Sequence, residues 1–231
     1  MGHEVQVTAA DGGRFAAYLA LPARTPAPGL VLLPEVFNTN PHIRSVADGY
    51  AAEGFVVLAP DVYWRQEPAC YAPYTDEGRA KVQALRARLD TDQFAKDLGD
   101  VVATLRTRPD CTGKVGIMGF CLGGKFAYLA ATRLPVDAAV SYYGVEIDKY
   151  LDEADRLRCP FLMHFAENDP HVPAATVEAI RARMGGWKNV GIQIYPGTEH
   201  GFNRQGYPPY QEAAAKLARE RTLAHFRRLL A

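Results

Sequence analysis

Lys114-Val115-Gly116-Ile117-Met118-Gly119-Phe120-Cys121-Leu122-Gly123-Gly124-Lys125 is the stretch on which the fold of this chain turns. Val115, Ile117 and Met118 form a short apolar run of strand type, and a helical pattern follows from Gly124 to Thr132. Between them, Gly119-Phe120-Cys121-Leu122-Gly123 fits the G-x-S-x-G nucleophile elbow with Cys in place of Ser. A tight strand-to-helix turn needs glycines on both sides of the nucleophile, because neighbouring backbone leaves no room for a Cβ. The turn lifts the sulfur to the carboxyl edge of a sheet and sets it at a helix N-terminus, where an anion is favoured. A buried structural cysteine before a glycine-rich turn would show the same five residues. The strand before and the helix after favour the elbow, and the rest of the chain must supply its partners.

Outward from the elbow, strand and helix patterns alternate. Towards the N-terminus, residues 4–8 and 14–21 alternate around Asp11-Gly12-Gly13 and predict a hairpin. Ala27-Pro28-Gly29 reads as a break, and Leu30 to Leu33 as a strand buried on both faces. A loop over 34–41 leads to a helix over 42–53 with Gly54 as its cap, then a buried strand over 55–59. Residues 62–75 are irregular and aromatic, as functional loops or lids often are. Helices are predicted over 76–89 and 91–107, the second capped by Asp90 or Thr91. Beyond the elbow, strands are predicted over 138–142, 161–165 and 190–195. Helices are predicted over 173–184, with Pro173 at its start, and over 212–230, with Leu217, Leu223, Phe226 and Leu230 on its apolar side. Such alternation implies an α/β fold: one domain over residues 1–231, with a mostly parallel central sheet and helices on both faces.

In this architecture an acid and then a histidine should follow the nucleophile, each after a late strand. The strand over 161–165 runs into Ala166-Glu167-Asn168-Asp169-Pro170-His171, and Asp169 sits just past its carboxyl end. The strand over 190–195 runs into Pro196-Gly197-Thr198-Glu199-His200-Gly201-Phe202, which puts His200 in the matching place. Alone, Asp169 is an ordinary turn residue and His200 an ordinary surface histidine. Order, strand and loop context agree for all three at once, which favours a Cys-His-Asp set. His164 lies inside an apolar strand and reads as a hydrogen-bonded core residue. A zinc site from His164, Asp169, His171 and His200 is conceivable, but its spacings fit no metal motif, so no metal and no cofactor are expected.

Composition narrows the remaining classes. The chain has 231 residues, 26 basic against 26 acidic, and 48% hydrophobic residues, which suits a soluble globular protein of zero net charge. No basic run suggests nucleic acid, no stretch is apolar enough for a membrane span, and the N-terminus lacks the apolar core of a secretory signal. Met1-Gly2 is not followed by the Ser or Thr at position 6 that myristoylation requires. The expected location is the cytoplasm, and the expected state is a monomer or weak homo-oligomer. Cys70, Cys111, Cys121 and Cys159 show no paired spacing and should be free thiols.

With these residues placed, the chain resembles the dienelactone hydrolase family (carboxymethylenebutenolidases) over nearly its whole length. The likeness is carried by Gly119 to Gly124, by Tyr142-Tyr143-Gly144-Val145, by Asp169 with Val172-Pro173, by His200-Gly201-Phe202, and by Pro34-Glu35-Val36-Phe37. The resemblance implies an α/β-hydrolase fold, with Cys121 as nucleophile, Asp169 as orienter, His200 as base and Glu35 facing the cysteine. It implies that Arg204 and Arg79 hold a substrate carboxylate. One departure stands out: the segment from Ala80 to Leu85 lacks the aromatic residue the resemblance leads one to expect, which leaves the natural lactone open.

The implied chemistry is coherent. A thiolate attacks a lactone carbonyl, His200 carries the proton, and Asp169 fixes the imidazole tautomer. The elbow makes the Leu122 N–H one oxyanion donor, and the loop after Leu33 offers the Val36 N–H as the second. Glu35 beside a thiol would oppose its ionisation and could accept its proton, whereas a solvated or arginine-paired Glu35 would do neither. The expected substrate is a small, anionic lactone or ester, such as a dienelactone opened to maleylacetate in the breakdown of aromatic compounds. A broader carboxylesterase or thioesterase and a non-catalytic ligand-binding homologue are the competing readings.

Overall fold

The computed structural model describes residues 2–231; Met1, where the N-terminal stretch read above begins, lies outside the described residues. In chain order the elements are β1 (His3–Thr8), β2 (Arg14–Ala20), β3 (Ala27–Leu33), α1 (Pro41–Ala52), β4 (Val56–Pro60), α2 (Asp76–Ala87), α3 (Thr91–Arg106) and β5 (Cys111–Phe120). They continue with α4 (Leu122–Arg133), β6 (Ala138–Tyr142), a 3-10 segment (Ile147–Arg156), β7 (Phe161–Ala166), α5 (Ala174–Met184), β8 (Val190–Tyr195) and α6 (Glu212–Leu230). The strands form an eight-stranded sheet in the order β1-β2-β4-β3-β5-β6-β7-β8. The chain divides into two compact units, residues 1–116 and 117–231.

In the first unit, β1 and β2 form the predicted hairpin, closed around Gly12 at φ 86°. β2 runs antiparallel to β4, and β4 runs parallel to β3. The apolar run of β4 has no exposed residue, as expected of a strand covered on both faces. Ala27-Pro28-Gly29 belongs to β3 and does not break the chain. Asn40 caps α1 by accepting from the Ile43 N–H, and Gly54 ends it at φ 99°. Asp90 caps α3 through its Oδ1, which accepts from Asp92 and Gln93.

Residues 62–75 are irregular, as predicted, but they are fastened rather than loose. Asp61 is 1% exposed. Its Oδ1 accepts from Asn38 Nδ2 at 2.5 Å and Tyr63 N at 2.9 Å, and its Oδ2 from Ala69 N at 2.7 Å. Asn38 returns the tie, accepting from Val62 N and donating to the Cys70 carbonyl. The segment carrying Glu35 and Val36 is thereby joined to the aromatic loop. Burial raises the Asp61 pKa, while its hydrogen bonds from Asn38, Ala69 and Tyr63 pull the other way.

In the second unit, β6, β7 and β8 are parallel. α4 and α6 pack on β6, α6 also packs on β7, and α5 packs on the 3-10 segment. That segment was not anticipated, although Ile147, Tyr150, Leu151 and Ala154 recur there at helical spacing. α5 starts after Pro173, which takes the N-cap position instead of the first helical one. α6 buries Ala215, Ala218, Thr222, Leu223, Phe226 and Leu230; Leu217 points outward at 41% exposure, so small residues make the N-terminal half of its packed stripe. All four cysteines are buried free thiols.

His164 is the core histidine the sequence suggested. Its Nδ1 meets Tyr195 Oη at 2.9 Å and its Nε2 meets Thr222 Oγ1 at 3.0 Å. Full burial pushes its pKa down to about 3. The folded state therefore keeps this ring neutral, while the unfolded chain protonates near 6.5. A depressed histidine pKa stabilises the fold above the unfolded value and loses that contribution as pH falls towards the folded one. In urea titrations at pH 4 to 6, His164→Gln should lower the dependence of unfolding free energy on pH by about 1.4 kcal/mol per pH unit. Equal slopes for the two proteins would show that His164 does not titrate on unfolding.

Candidate active site

Cys121 occupies the turn between β5 and α4 with φ 54° and ψ −112°, a conformation that L-residues adopt only under constraint. A Cβ on Gly119 would collide with the backbone of Gly123, so the elbow closes only with glycine at 119. Gly124 is equally confined: a Cβ there would lie 2.6 Å from Gly144 Cα. The Cys121 N–H donates to the Tyr142 carbonyl at 2.9 Å, and the Cys121 carbonyl accepts from Lys125 N at 3.2 Å and Val145 N at 3.3 Å. Leu122 is the first residue of α4, where backbone N–H groups have no intrahelical acceptor.

Asp169 lies three residues beyond β7, with its side chain fully buried. Its Oδ1 accepts from His171 N at 2.8 Å and Val172 N at 3.1 Å, which fixes the carboxylate plane. Its Oδ2 stands 2.7 Å from His200 Nδ1. His200 follows β8, and the loop that carries it is folded by Thr198 Oγ1 donating to the Tyr195 carbonyl. Gly201 at φ 88° turns the chain immediately after it. The His200 ring is 4.8 Å from the Tyr143 ring and 4.7 Å from the His171 ring.

Burial is the largest influence on His200 and would lower its pKa. It is outweighed by the charge of Cys121, by hydrogen bonds with Asp169 and Cys121, and by the charge of Asp169, and the pKa is pushed up to about 10. With Nδ1 committed to Asp169, Nε2 is the nitrogen left for Cys121.

Arg204 is half-buried and bends back over the same loop, its N–H donating to the Gly201 carbonyl at 2.8 Å. Its Nη2 lies 3.0 Å from where a Cβ on Gly201 would stand, so glycine there makes room for the guanidinium. The second unit thus carries Cys121, Leu122, Asp169, His200 and Arg204. The first carries Glu35, Val36 and Arg79 on its own framework. Glu35 is 3% exposed, so the solvated reading of this carboxylate does not hold. Val36 is buried beside it. Arg79 is exposed, with its guanidinium carbon 5.6 Å from the centre of the Phe37 ring.

Among the described residues, no group of three or more His, Cys, Asp or Glu is arranged to hold a metal ion. His164, considered above for zinc, has both ring nitrogens engaged by Tyr195 and Thr222. Among the same residues, no helix is long and apolar enough to cross a membrane. Sequence reasoning gave no role to Tyr143, whose φ of 38° and contact with His200 make it part of this site. A Tyr-Tyr-Gly run closing an otherwise apolar strand is the signal that could have marked it.

Comparison with known proteins agrees with this architecture. The model of the Dienelactone hydrolase family matches residues 15–230. A relative from Azospirillum brasilense is 37% identical over 239 residues, covering 98% of this chain and 99% of its own. The carboxymethylenebutenolidase of Pseudomonas putida is 33% identical over 220 residues, covering 95% of this chain and 93% of that protein. A crystal structure from Klebsiella pneumoniae superposes with a TM-score of 0.87 at 27% identity, covering 98% of each chain. The chain belongs to the dienelactone hydrolase family, whose members are carboxylic ester hydrolases.

Proposed function

We propose that the protein hydrolyses a small anionic lactone, of the dienelactone type, through a Cys121-His200-Asp169 triad and an acyl-enzyme, without metal or cofactor. The observation that carries this reading is the 2.7 Å contact of His200 Nδ1 with a fully buried Asp169, in a loop whose histidine also engages the constrained Cys121. Family membership supports the reaction class. The match spans both compact units, which supports residues 1–231 acting as one catalytic domain. The reaction has no need of a nucleic-acid or membrane partner, and a cytoplasmic monomer or weak homo-oligomer suffices for it.

The steps follow from the residues. The Cys121 thiolate adds to the lactone carbonyl carbon, and the carbonyl oxygen takes the charge. The Leu122 N–H stabilises that oxyanion, and we assign the second donor to the Val36 N–H. One such donor lowers a barrier of this kind by about 3 kcal/mol. The ring C–O bond then breaks, and the His200 imidazolium gives its proton to the leaving oxygen. Water, deprotonated by His200, attacks the thioester, and Cys121 leaves as thiolate. Asp169 keeps the proton on Nδ1 and balances the imidazolium charge. Arg204, with Arg79, receives the substrate carboxylate, since a planar guanidinium grips it through two hydrogen bonds. We assign Glu35 the role of keeping Cys121 a neutral thiol in the absence of substrate, since its negative charge opposes a thiolate, and of accepting the thiol proton when substrate binds. The missing aromatic residue over 80–85 favours, as a second reading, a wider range of esters or thioesters on the same site.

Cys121→Ala and His200→Ala should each abolish turnover of dienelactone and of p-nitrophenyl acetate, with circular dichroism unchanged, because the two residues act as a unit. Asp169→Asn should retain more activity than either while still losing orders of magnitude. His171→Ala, which removes the other imidazole beside His200, should be far milder. A greater loss for His171→Ala than for His200→Ala would mean that the base is His171.

Arg204→Ala should damage dienelactone turnover far more than that of neutral p-nitrophenyl acetate, chiefly through a raised KM. A hydrogen bond to a charged group contributes roughly 1.5–3 kcal/mol, and the neutral ester never forms it. Equal losses on both substrates would turn the assignment towards a general esterase. For Glu35, iodoacetamide alkylation of Cys121 without substrate is the measurement. Glu35→Gln should speed it, and an unchanged rate would show that the Glu35 charge does not keep Cys121 a neutral thiol.

A further inference from the structure

Lys125 is not accounted for by the chemistry above. It lies four residues past Cys121 in α4 and is 4% exposed. A buried ammonium needs a partner, and this one is an ion pair: Lys125 Nζ stands 3.0 Å from Glu146 Oε2. The other oxygen of Glu146 takes the exposed Lys149 Nζ at 2.8 Å. Glu146 itself is held in the left-handed region at φ 59° and ψ 16°, a position where glycine or asparagine would be expected.

The backbone around this pair converges on one atom. The Cys121 carbonyl accepts from the N–H of Lys125 and from the N–H of Val145, the residue before Glu146. The side chains of Lys125 and Glu146 then join the same two segments a second time. Replacing a buried ion pair whole by apolar side chains is often neutral or even stabilising. A role in stability alone therefore gives no reason for a lysine here.

We propose that the Lys125–Glu146 ion pair is a positioning clasp for the nucleophile: it fastens α4 to the turn after β6, fixes the Cys121 carbonyl between them, and so sets the direction of Cys121 Sγ and of the Leu122 N–H. This rests on Cys121 being the nucleophile. Lys125 and Glu146 act here as positioning residues, through Cys121. The molecule contains its own control. Arg133 Nε meets Glu153 Oε2 at 2.8 Å and joins α4 to the 3-10 segment at the far end of the helix, about 17 Å from its first residue at 1.5 Å rise per residue.

The test is steady-state hydrolysis of p-nitrophenyl acetate by the full-length chain, with thermal unfolding measured alongside. Lys125→Met should lower kcat tenfold or more, leave KM within about twofold, and move Tm by only a few degrees, because misplacement of the attacking atom acts on the transition state. Glu146→Gln should do the same and carries the test if Lys125→Met does not fold. The double variant should lose no more than either single one, since both remove one interaction. Lys125→Arg should recover most of the rate. Arg133→Met should lower Tm with kcat unchanged. Wild-type kcat in folded Lys125→Met and Glu146→Gln would overturn the clasp, as would an equal loss of kcat in Arg133→Met. Cys121→Ala separates the two readings. If it is inactive while Lys125→Met is fully active, the clasp alone fails; if it is active, the nucleophile assignment fails and the clasp with it.

Discussion

The backbone of one residue is the constraint on which the rest of the second unit depends. Cys121 sits at φ 54° and ψ −112°, outside the regions that a residue with a Cβ prefers, and this costs about 1–3 kcal/mol. Such a conformation persists only when its surroundings over-determine it. Both polar groups of Cys121 are therefore tied to the end of β6 and the turn that follows it, through the Tyr142 carbonyl and the Val145 N–H. That turn is itself constrained, with Tyr143 at φ 38° and Glu146 at φ 59°. Two close backbone approaches, Gly119 to Gly123 and Gly124 to Gly144, let the parts come together. Four glycines and three strained non-glycine residues thus form one corner, and the sulfur emerges from it in a single direction.

How much of this could be read from the sequence follows from what each feature depends on. The elbow was legible because glycine on both sides of Cys121 is a local steric demand, and local demands leave local residues. β6, β8 and α6 were placed to the residue because their apolar runs and periods are long and cleanly bounded. The 3-10 segment went unread although Ile147, Tyr150, Leu151 and Ala154 recur at helical spacing: the run is only ten residues long, and its backbone departs from a helix at Tyr150, with φ −125°. Leu217 was misplaced because a leucine at helical spacing suggests a buried face, whereas alanines 215 and 218 allow closer packing there. Ala27-Pro28-Gly29 suggests a break, on the ordinary meaning of Pro-Gly, but forms the start of β3. Its place in β3 is anchored by the Ala27 N–H donating to the Asp110 carbonyl, a partner 83 residues away that no local pattern announces.

The same distinction applies within the site. Asp169 and His200 could be named because each follows a recognisable strand. Lys125 and Glu146 could not, since their importance lies in a contact across 21 residues of sequence; for Tyr143 the Tyr-Tyr-Gly run marked the place but not the role, which lies in a backbone angle and a ring contact. Asp61 belongs with them. It reads as a residue ending a strand, yet its carboxylate gathers donors from Asn38, Tyr63 and Ala69 and so determines where the Glu35–Val36 segment can lie. Residues that touch substrate tend to be chemically distinctive, whereas residues that hold them in place are distinctive only in three dimensions.

The pairing of Asp169 with His200 shows how register becomes chemistry. β7 and β8 are parallel, and the last paired residues are Ala166 and Tyr195. From that shared level the first loop travels three residues to Asp169 and the second travels five to His200. Parallel strands leave the sheet side by side and pointing the same way, so both loops emerge at one edge. The extra length of the second loop is taken up by its own turn, where Thr198 N and Oγ1 both bond the Tyr195 carbonyl. The two loops are then sewn together by Glu167 N to the Tyr195 carbonyl, Asn168 N to the Thr198 carbonyl, and Gly197 N to Glu167 Oε2. By the time the chain reaches Asp169 and His200, almost no freedom remains between them. The 2.7 Å contact of carboxylate and imidazole is the end of a ladder that starts at Phe161 and Val190. Slipping that ladder by one residue would turn each side chain of β8 to the opposite face and carry His200 out of reach of Asp169.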